Sequence, residues 1–101
     1  MTTQRKATAA DIELLPSGIR DSVLNYVEKG WPIGGFLSAV FSNNLMEAAG
    51  RADQINRARL ADICTWIYNE APASCWGSPE AVKAWQEQGG LVGGLQTLQG
   101  T

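Results

Sequence analysis

The sequence predicts an all-α fold, a compact bundle of about five short helices with flexible N- and C-terminal tails. Apolar residues recur at helical spacing in several segments, and proline or glycine stands where those segments begin and end. The chain has 101 residues, of which 45% are apolar. That length suits one domain, which buries roughly 60–65% of its unfolded surface. We therefore expect an N-terminal tail over residues 1–15, a helical domain over 16–88 and a Gly-rich C-terminal arm over 89–101.

The first three helices follow from their start and stop signals. Residues 16–29 form the first, because Pro16 suits a first helical position and Gly30 suits the residue after a helix. Residues 34–42 form a short second helix with an apolar stripe. Residues 44–52 form a third, for which Asn43 or Asn44 is the expected cap.

The fourth helix, over residues 53–70, has the clearest periodicity, with Asp53 as its predicted N-cap. Its apolar stripe consists of Leu60, Ile63, Cys64, Ile67 and Tyr68. The fifth helix begins with Ser78 as N-cap and Pro79 as first helical residue, and ends before Gly89. Cys64 is expected to pack as a small apolar side chain, and Cys64 and Cys75 as free thiols.

Both ends of the chain are expected to lie outside the bundle. Residues 1–15 form a polar tail whose Ile and Leu residues suit docking on the domain or on a neighbouring subunit. Residues 89–101 are too rich in glycine for a helix of their own. The apolar residues of this arm, Leu91, Val92, Leu95 and Leu98, suit a segment that lies in a groove of another subunit.

Composition excludes several classes of function. The net charge is −2, and the sequence holds no histidine. Without histidine there is no Cys–His or Ser–His nucleophile pair and no His-containing metal site. We therefore expect no enzyme, no catalytic residues, no metal and no cofactor. The acidic balance argues against general nucleic-acid binding, and no apolar run is long enough for a membrane span.

Three polar stretches are candidates for ligand binding. One is the start of the fifth helix, one the joint between the third and fourth helices, and one the end of the fourth. Backbone N–H groups at helix starts attract anions, and Arg suits bidentate contact with phosphate. The simpler alternative is that these residues are helix caps and a solvated face. The candidate ligand-binding residues are Asn43, Asn44, Arg51, Asp53, Asn56, Arg59, Tyr68, Trp76 and Ser78.

Residues 16–85 resemble a family of short, largely uncharacterised proteins encoded by bacteriophages and prophages. The resemblance lies in two motifs, GxPxGxFLxAV from Gly30 to Val40 and NxxPxxxWGSPE from Asn69 to Glu80. Family members more often carry Asp at the position of Asn44 and Ser at that of Gly35. The resemblance implies a phage origin and a setting in the host cytoplasm.

Three functions remain open at this point. The leading hypothesis is a non-enzymatic, homo-oligomeric phage accessory protein that sequesters a small, possibly cyclic nucleotide signal and so counters host defence. The second is an inhibitor or adaptor directed at a host defence protein, with the C-terminal arm as its docking segment. The third is a transcriptional regulator that reads DNA through the fourth helix.

Overall fold

The structure, a computed structural model, describes residues 11–94 of the chain. This part is all-α and contains no strand, as predicted. The helices are α1 (Arg20–Lys29), α2 (Gly35–Phe41), α3 (Leu45–Arg51), α4 (Gln54–Ala58), α5 (Leu60–Glu70) and α6 (Pro79–Gln88). Three 3-10 turns, Ile12–Leu14, Ser17–Ile19 and Ala73–Cys75, lie between or before them. The predicted flexibility of the tails concerns residues 1–10 and 95–101, which lie outside the described residues.

The predicted helix caps are confirmed. The Asn44 side chain accepts a hydrogen bond from the Glu47 N–H at 3.2 Å, and Ser78 Oγ accepts one from the Ala81 N–H at 3.1 Å. Asp53 Oδ1 caps α4 through the Asn56 N–H at 2.8 Å. Each bond satisfies one of the free N–H groups of a first helical turn.

The first helix starts later than predicted, and part of the preceding segment packs on the bundle. Pro16 does not open α1 but leads into the 3-10 turn Ser17–Ile19, and α1 begins at Arg20. Leu15, which the sequence placed in the tail, is fully buried in the core. Its carbonyl accepts a hydrogen bond from Arg20 Nε at 2.8 Å. Leu15 therefore docks on the bundle, as expected for the Ile and Leu residues of the tail, and the boundary at residue 15 stays a prediction.

The predicted fourth helix is two helices, α4 and α5, separated at Arg59. This residue leaves helical geometry, with φ −109° and ψ 15°. Its guanidinium donates from Nη2 to the carbonyls of Glu13 and Leu14, at 2.7 and 3.2 Å. These hydrogen bonds connect the break between α4 and α5 to the segment that precedes α1.

The core lies between α1, α2, α5 and α6. The fully buried side chains include Tyr26 of α1, Phe41 of α2 and Trp66 of α5, and the rings of Tyr26 and Phe41 pack with centroids 4.5 Å apart. The inner face of α5 is formed by Ile63, Trp66 and Ile67. The prediction that Cys64 packs inside is wrong, because the Cys64 side chain is exposed.

The C-terminal end of α6 packs against the end of α1. Trp85 Nε1 donates to the carbonyls of Tyr26 and Val27, at 3.0 and 3.2 Å. The Tyr26 carbonyl also accepts from the Gly30 N–H at 2.9 Å, whereas the Val27 carbonyl is among those that the last turn of a helix leaves free, so the indole helps to close the end of α1. Residues 90–94 are helical, although their glycine content predicted otherwise. The remaining apolar residues of the arm, Leu95 and Leu98, lie outside the described residues.

The Cys75 thiol makes the stability of the fold depend on pH. Cys75 is fully buried, and this burial raises the pKa of its thiol from 9.0 to about 12. Burial also raises the pKa of Tyr26, whose hydroxyl donates to the Cys75 carbonyl at 2.7 Å. Above about pH 9 the unfolded chain releases the thiol proton while the folded chain keeps it, so stability falls as pH rises.

We expect the free energy of unfolding to fall by about 1–1.5 kcal/mol between pH 8 and pH 10 because of Cys75. Urea denaturation at the two pH values measures the difference. Cys75→Ala is the control: it is less stable overall but should lose less on going to pH 10. An equal fall for the two proteins would show that the buried thiol is not responsible.

Candidate functional site

The nine predicted site residues do not gather in one place. Asn43, Tyr68 and Trp76 line an apolar cleft, and Asn44 and Arg51 line a polar groove on the other side of α2. A separate cavity beside the turn Ser17–Ile19 brings together Asp53, Asn56 and Arg59. The Ser78 hydroxyl is occupied as the cap of α6, and Pro79 after it lines the polar groove.

The aromatic cleft lies between α2 and α5 and has a volume of about 160 Å³. It is lined by Val40, Asn43, Cys64, Ile67, Tyr68 and Trp76. The Tyr68 and Trp76 rings are tilted, with centroids 6.0 Å apart, and 73% of Tyr68 is exposed. Asn43 supplies the cleft's amide from a left-handed backbone conformation, φ 64°, between α2 and α3. The cleft thus offers aromatic surface and one amide, with no charged residue among those that line it.

The polar groove lies along α2 and α3 and has a volume of about 400 Å³. Its polar lining includes the hydroxyls of Ser38 and Ser42, the Asn44 side chain and the ion pair between Arg51 and Glu47. Arg51 Nε donates to Glu47 Oε2 at 2.8 Å, and more than half of the Arg51 side chain is exposed. The terminal nitrogens of Arg51 make no hydrogen bond within the described residues.

The absence of a side chain at Gly35 lets the Arg51 guanidinium pack against α2. A Cβ atom at position 35 would lie 2.9 Å from Arg51 Nη1, which is closer than such contacts allow. The close approach to α2 at Gly35 is therefore made by a side chain of the same chain. A guanidinium held in this way presents its remaining N–H donors to the open groove.

A small pocket of about 60 Å³ lies beside the joint between α2 and α3. Asn43 is shared between this pocket and the cleft, and Asn44 between this pocket and the groove. Leu45, Ala48 and Leu60 complete its walls together with Val40 and Cys64. We call the cleft, the pocket and the groove together the α2–α3 groove. It includes five of the nine predicted residues: Asn43, Asn44, Arg51, Tyr68 and Trp76.

The sequence did not identify several residues of the α2–α3 groove. Ser38 and Ser42 lie on the polar side of α2. The prediction for this helix rested on its apolar stripe alone. Cys64 lies in the cleft because the outer side of α5 faces α2 there. The Cys64 side chain is exposed, but the walls of the cleft partly desolvate its thiol, which raises the thiol pKa and keeps the thiol neutral at physiological pH. The cleft surface is therefore uncharged at this residue also.

The described residues 11–94 contain no group of three or more His, Cys, Asp or Glu side chains that could hold a metal ion. Their helices are also too short or too polar to cross a lipid bilayer. Comparison with known protein families, with characterised proteins and with solved structures found no match to the chain.

Proposed function

We propose that the protein binds a small nucleotide in the α2–α3 groove and acts as a non-enzymatic, homo-oligomeric phage accessory protein that sequesters this signal in the host cytoplasm. The observation that carries the proposal is that the cleft and the polar groove are lined by two consecutive residues, Asn43 and Asn44, which both also line the small pocket. The uncharged aromatic cleft is lined by Asn43, and the groove that holds the exposed Arg51 guanidinium is lined by the next residue, Asn44. A nucleotide has the same division into a flat base and a charged phosphate.

The aromatic cleft suits the base. Tyr68 is largely exposed, so its ring is open to stacking, and Trp76 and Ile67 close the cleft behind it. Stacking of a base on an aromatic side chain contributes about 1–3 kcal/mol. The Asn43 amide carries one donor and one acceptor group, which can pair with the edge of a base.

The polar groove suits the phosphate. Arg51 uses only Nε for Glu47, so its terminal nitrogens remain to donate to phosphate oxygens. Ser38 and Ser42 add hydroxyl donors in the same groove. Glu47 fixes the orientation of the guanidinium but partly neutralises its charge. We therefore expect moderate affinity from one protomer.

A homo-oligomer explains the exposed apolar side chains at the start of α3. Leu45 and Met46, at the start of α3, are 64% and 82% exposed. Exposed apolar surface of this kind marks a site of association. A second copy seated on α3 would cover these side chains and narrow the groove around its ligand. Sequestration needs no chemical step, so binding alone performs the function.

Isothermal titration of the full chain with cyclic mononucleotides and cyclic dinucleotides tests the proposal. We expect heat of binding for at least one of them, and recovery of that nucleotide unchanged after prolonged incubation. Tyr68→Ala and Arg51→Ala should each weaken binding about tenfold, from the loss of stacking and of a charged hydrogen bond.

Lys83→Ala is the matched control for Arg51→Ala. Lys83 is an exposed residue of α6, and its removal changes the net charge by the same amount. Binding by this variant should equal that of the parent protein. Native mass spectrometry of the same samples reports the number of subunits. A monomeric chain that gives no heat with any cyclic nucleotide would refute the proposed function.

A further inference from the structure

A second cavity lies on a part of the surface that the proposed function does not use. It has a volume of about 270 Å³ and separates the segment Pro16–Ile19 from α4 and Arg59. One wall is open at Gly18, where a Cβ atom would meet nothing within 4 Å. Ile19 and Ile55 give it apolar surface, and Asp53, Asn56 and Arg59 give it polar groups. We call it the Asn56 cavity.

Asn56 carries the main observation. Its relative exposure is only 9%, and among the described residues it is the one polar residue that is buried. Its backbone N–H is bonded to Asp53, but its side-chain amide makes no hydrogen bond within residues 11–94. The amide atoms are not sealed inside the protein either, so they open onto the cavity that the residue lines. An amide held in this way at a cavity wall offers one donor group and one acceptor to a ligand in the cavity.

Arg59 contributes free donors to the same cavity. Its Nε donates to Asp62 Oδ2 at 2.8 Å, and its Nη2 donates to the carbonyls of Glu13 and Leu14. These bonds leave the two N–H groups of Nη1 without a partner in the described residues. They also fix the guanidinium in place, so no side-chain freedom has to be lost when a ligand binds.

Asp53 contributes the opposite charge. Its Oδ1 caps α4, and its second oxygen makes no hydrogen bond within the described chain. The Arg59 charge is balanced by Asp62, so a lone phosphate or carboxylate in the cavity would face Asp53 without a surplus of positive charge. A lone cation would likewise face Arg59. The lining is complementary to a ligand that carries both charges.

We propose that the Asn56 cavity binds a free α-amino acid in its zwitterionic form. The carboxylate of the amino acid accepts from Arg59 Nη1, and its ammonium donates to Asp53. The Asn56 amide lies between them, with Nδ2 donating to the carboxylate and Oδ1 accepting from the ammonium. The side chain of the ligand packs on Ile19 and Ile55, which favours an apolar amino acid. None of these residues belongs to the α2–α3 groove, so this proposal stands apart from the proposed function.

Titration of the isotope-labelled chain with the standard α-amino acids, followed by NMR, tests the proposal. We expect saturable shifts of the Asn56 side-chain amide signals with apolar amino acids at millimolar concentration. For the amino acid that binds best, the amine without the carboxylate and the acid without the ammonium should each bind about tenfold more weakly, since each lacks one charged hydrogen bond.

Asp53→Asn is the decisive variant. Asn is as good an N-cap as Asp, so α4 and the thermal stability of the chain should be preserved. Loss of the carboxylate should still weaken amino-acid binding about tenfold. Tyr68→Ala, which alters only the aromatic cleft, should bind the amino acid as the parent does. Absence of shifts with every amino acid, or equal binding of the amine or acid alone, would overturn the proposal.

Discussion

Replacement of Trp66 by Ala is expected to lower the free energy of unfolding by about 3–5 kcal/mol. Trp66 is fully buried on the inner face of α5, between Ile63 and Ile67. Removal of the indole leaves no polar group without its partner. It does leave a large cavity that the surrounding helices can fill only in part. A domain of this size has a total stability of about 5–15 kcal/mol, so the variant should be partly unfolded at physiological temperature. Urea denaturation followed by circular dichroism measures the loss.

Tyr68→Ala is the matched control for this prediction. Tyr68 lies two residues further along the same helix and is 73% exposed. Its replacement should change the free energy of unfolding by no more than about 0.5 kcal/mol, as for most surface positions. If Tyr68→Ala were the more damaging of the two, α5 would face the core with its other side, and the aromatic cleft would not exist.

The sequence predicted helix α5 but not its rotation. Ile63 and Ile67 belong to both possible apolar stripes. Cys64 and Tyr68 extend the stripe on one side of them, and Trp66 extends it on the other. A rotation of about 100° per residue gives both stripes helical spacing, so periodicity alone cannot choose between them. Packing of Trp66 into the core makes the choice, and it leaves Cys64 and Tyr68 to line the cleft.

Local interactions were predictable, and distant ones were not. The caps at Asn44, Asp53 and Ser78 each join residues three positions apart, so the local sequence contains both partners. The break at Arg59 is different, because its guanidinium bonds to carbonyls 45 and 46 residues earlier in the chain. Neither proline nor glycine marks this break, and the sequence therefore predicted one continuous helix.

The candidate site shows the same limit. Residues 43–59 are close in sequence and were treated as one polar joint. The structure divides them, because Asn43, Asn44 and Arg51 belong to the α2–α3 groove while Asp53 and Asn56 face the segment before α1. The sequence does not show which elements pack beside each helix. It therefore could not indicate two separate sites in place of one.

Gly90→Ala is expected to be the second most damaging of the changes considered. Gly90 lies in the left-handed region, at φ 72°, where a residue with a Cβ atom costs roughly 1–2 kcal/mol. The Cβ atom would also lie 2.5 Å from the Gly30 nitrogen and 2.6 Å from the Glu28 carbonyl carbon. These are backbone atoms at the end of α1, which cannot turn away as a side chain can. The helical residues 90–94 must therefore separate from α1, and we expect a total loss of about 2–4 kcal/mol.

Gly50→Ala is the matched control, and it should have the opposite sign. Gly50 lies inside α3 with ordinary helical geometry, and a Cβ atom there would meet nothing within 4 Å. Alanine in place of an exposed helical glycine should raise the free energy of unfolding by up to about 1 kcal/mol. Urea denaturation of the two variants compares the same chemical change, one added methyl group, at two sites. Equal stabilities would show that the close approach of Gly30 and Gly90 does not form, and that residues 90–94 are not held against α1.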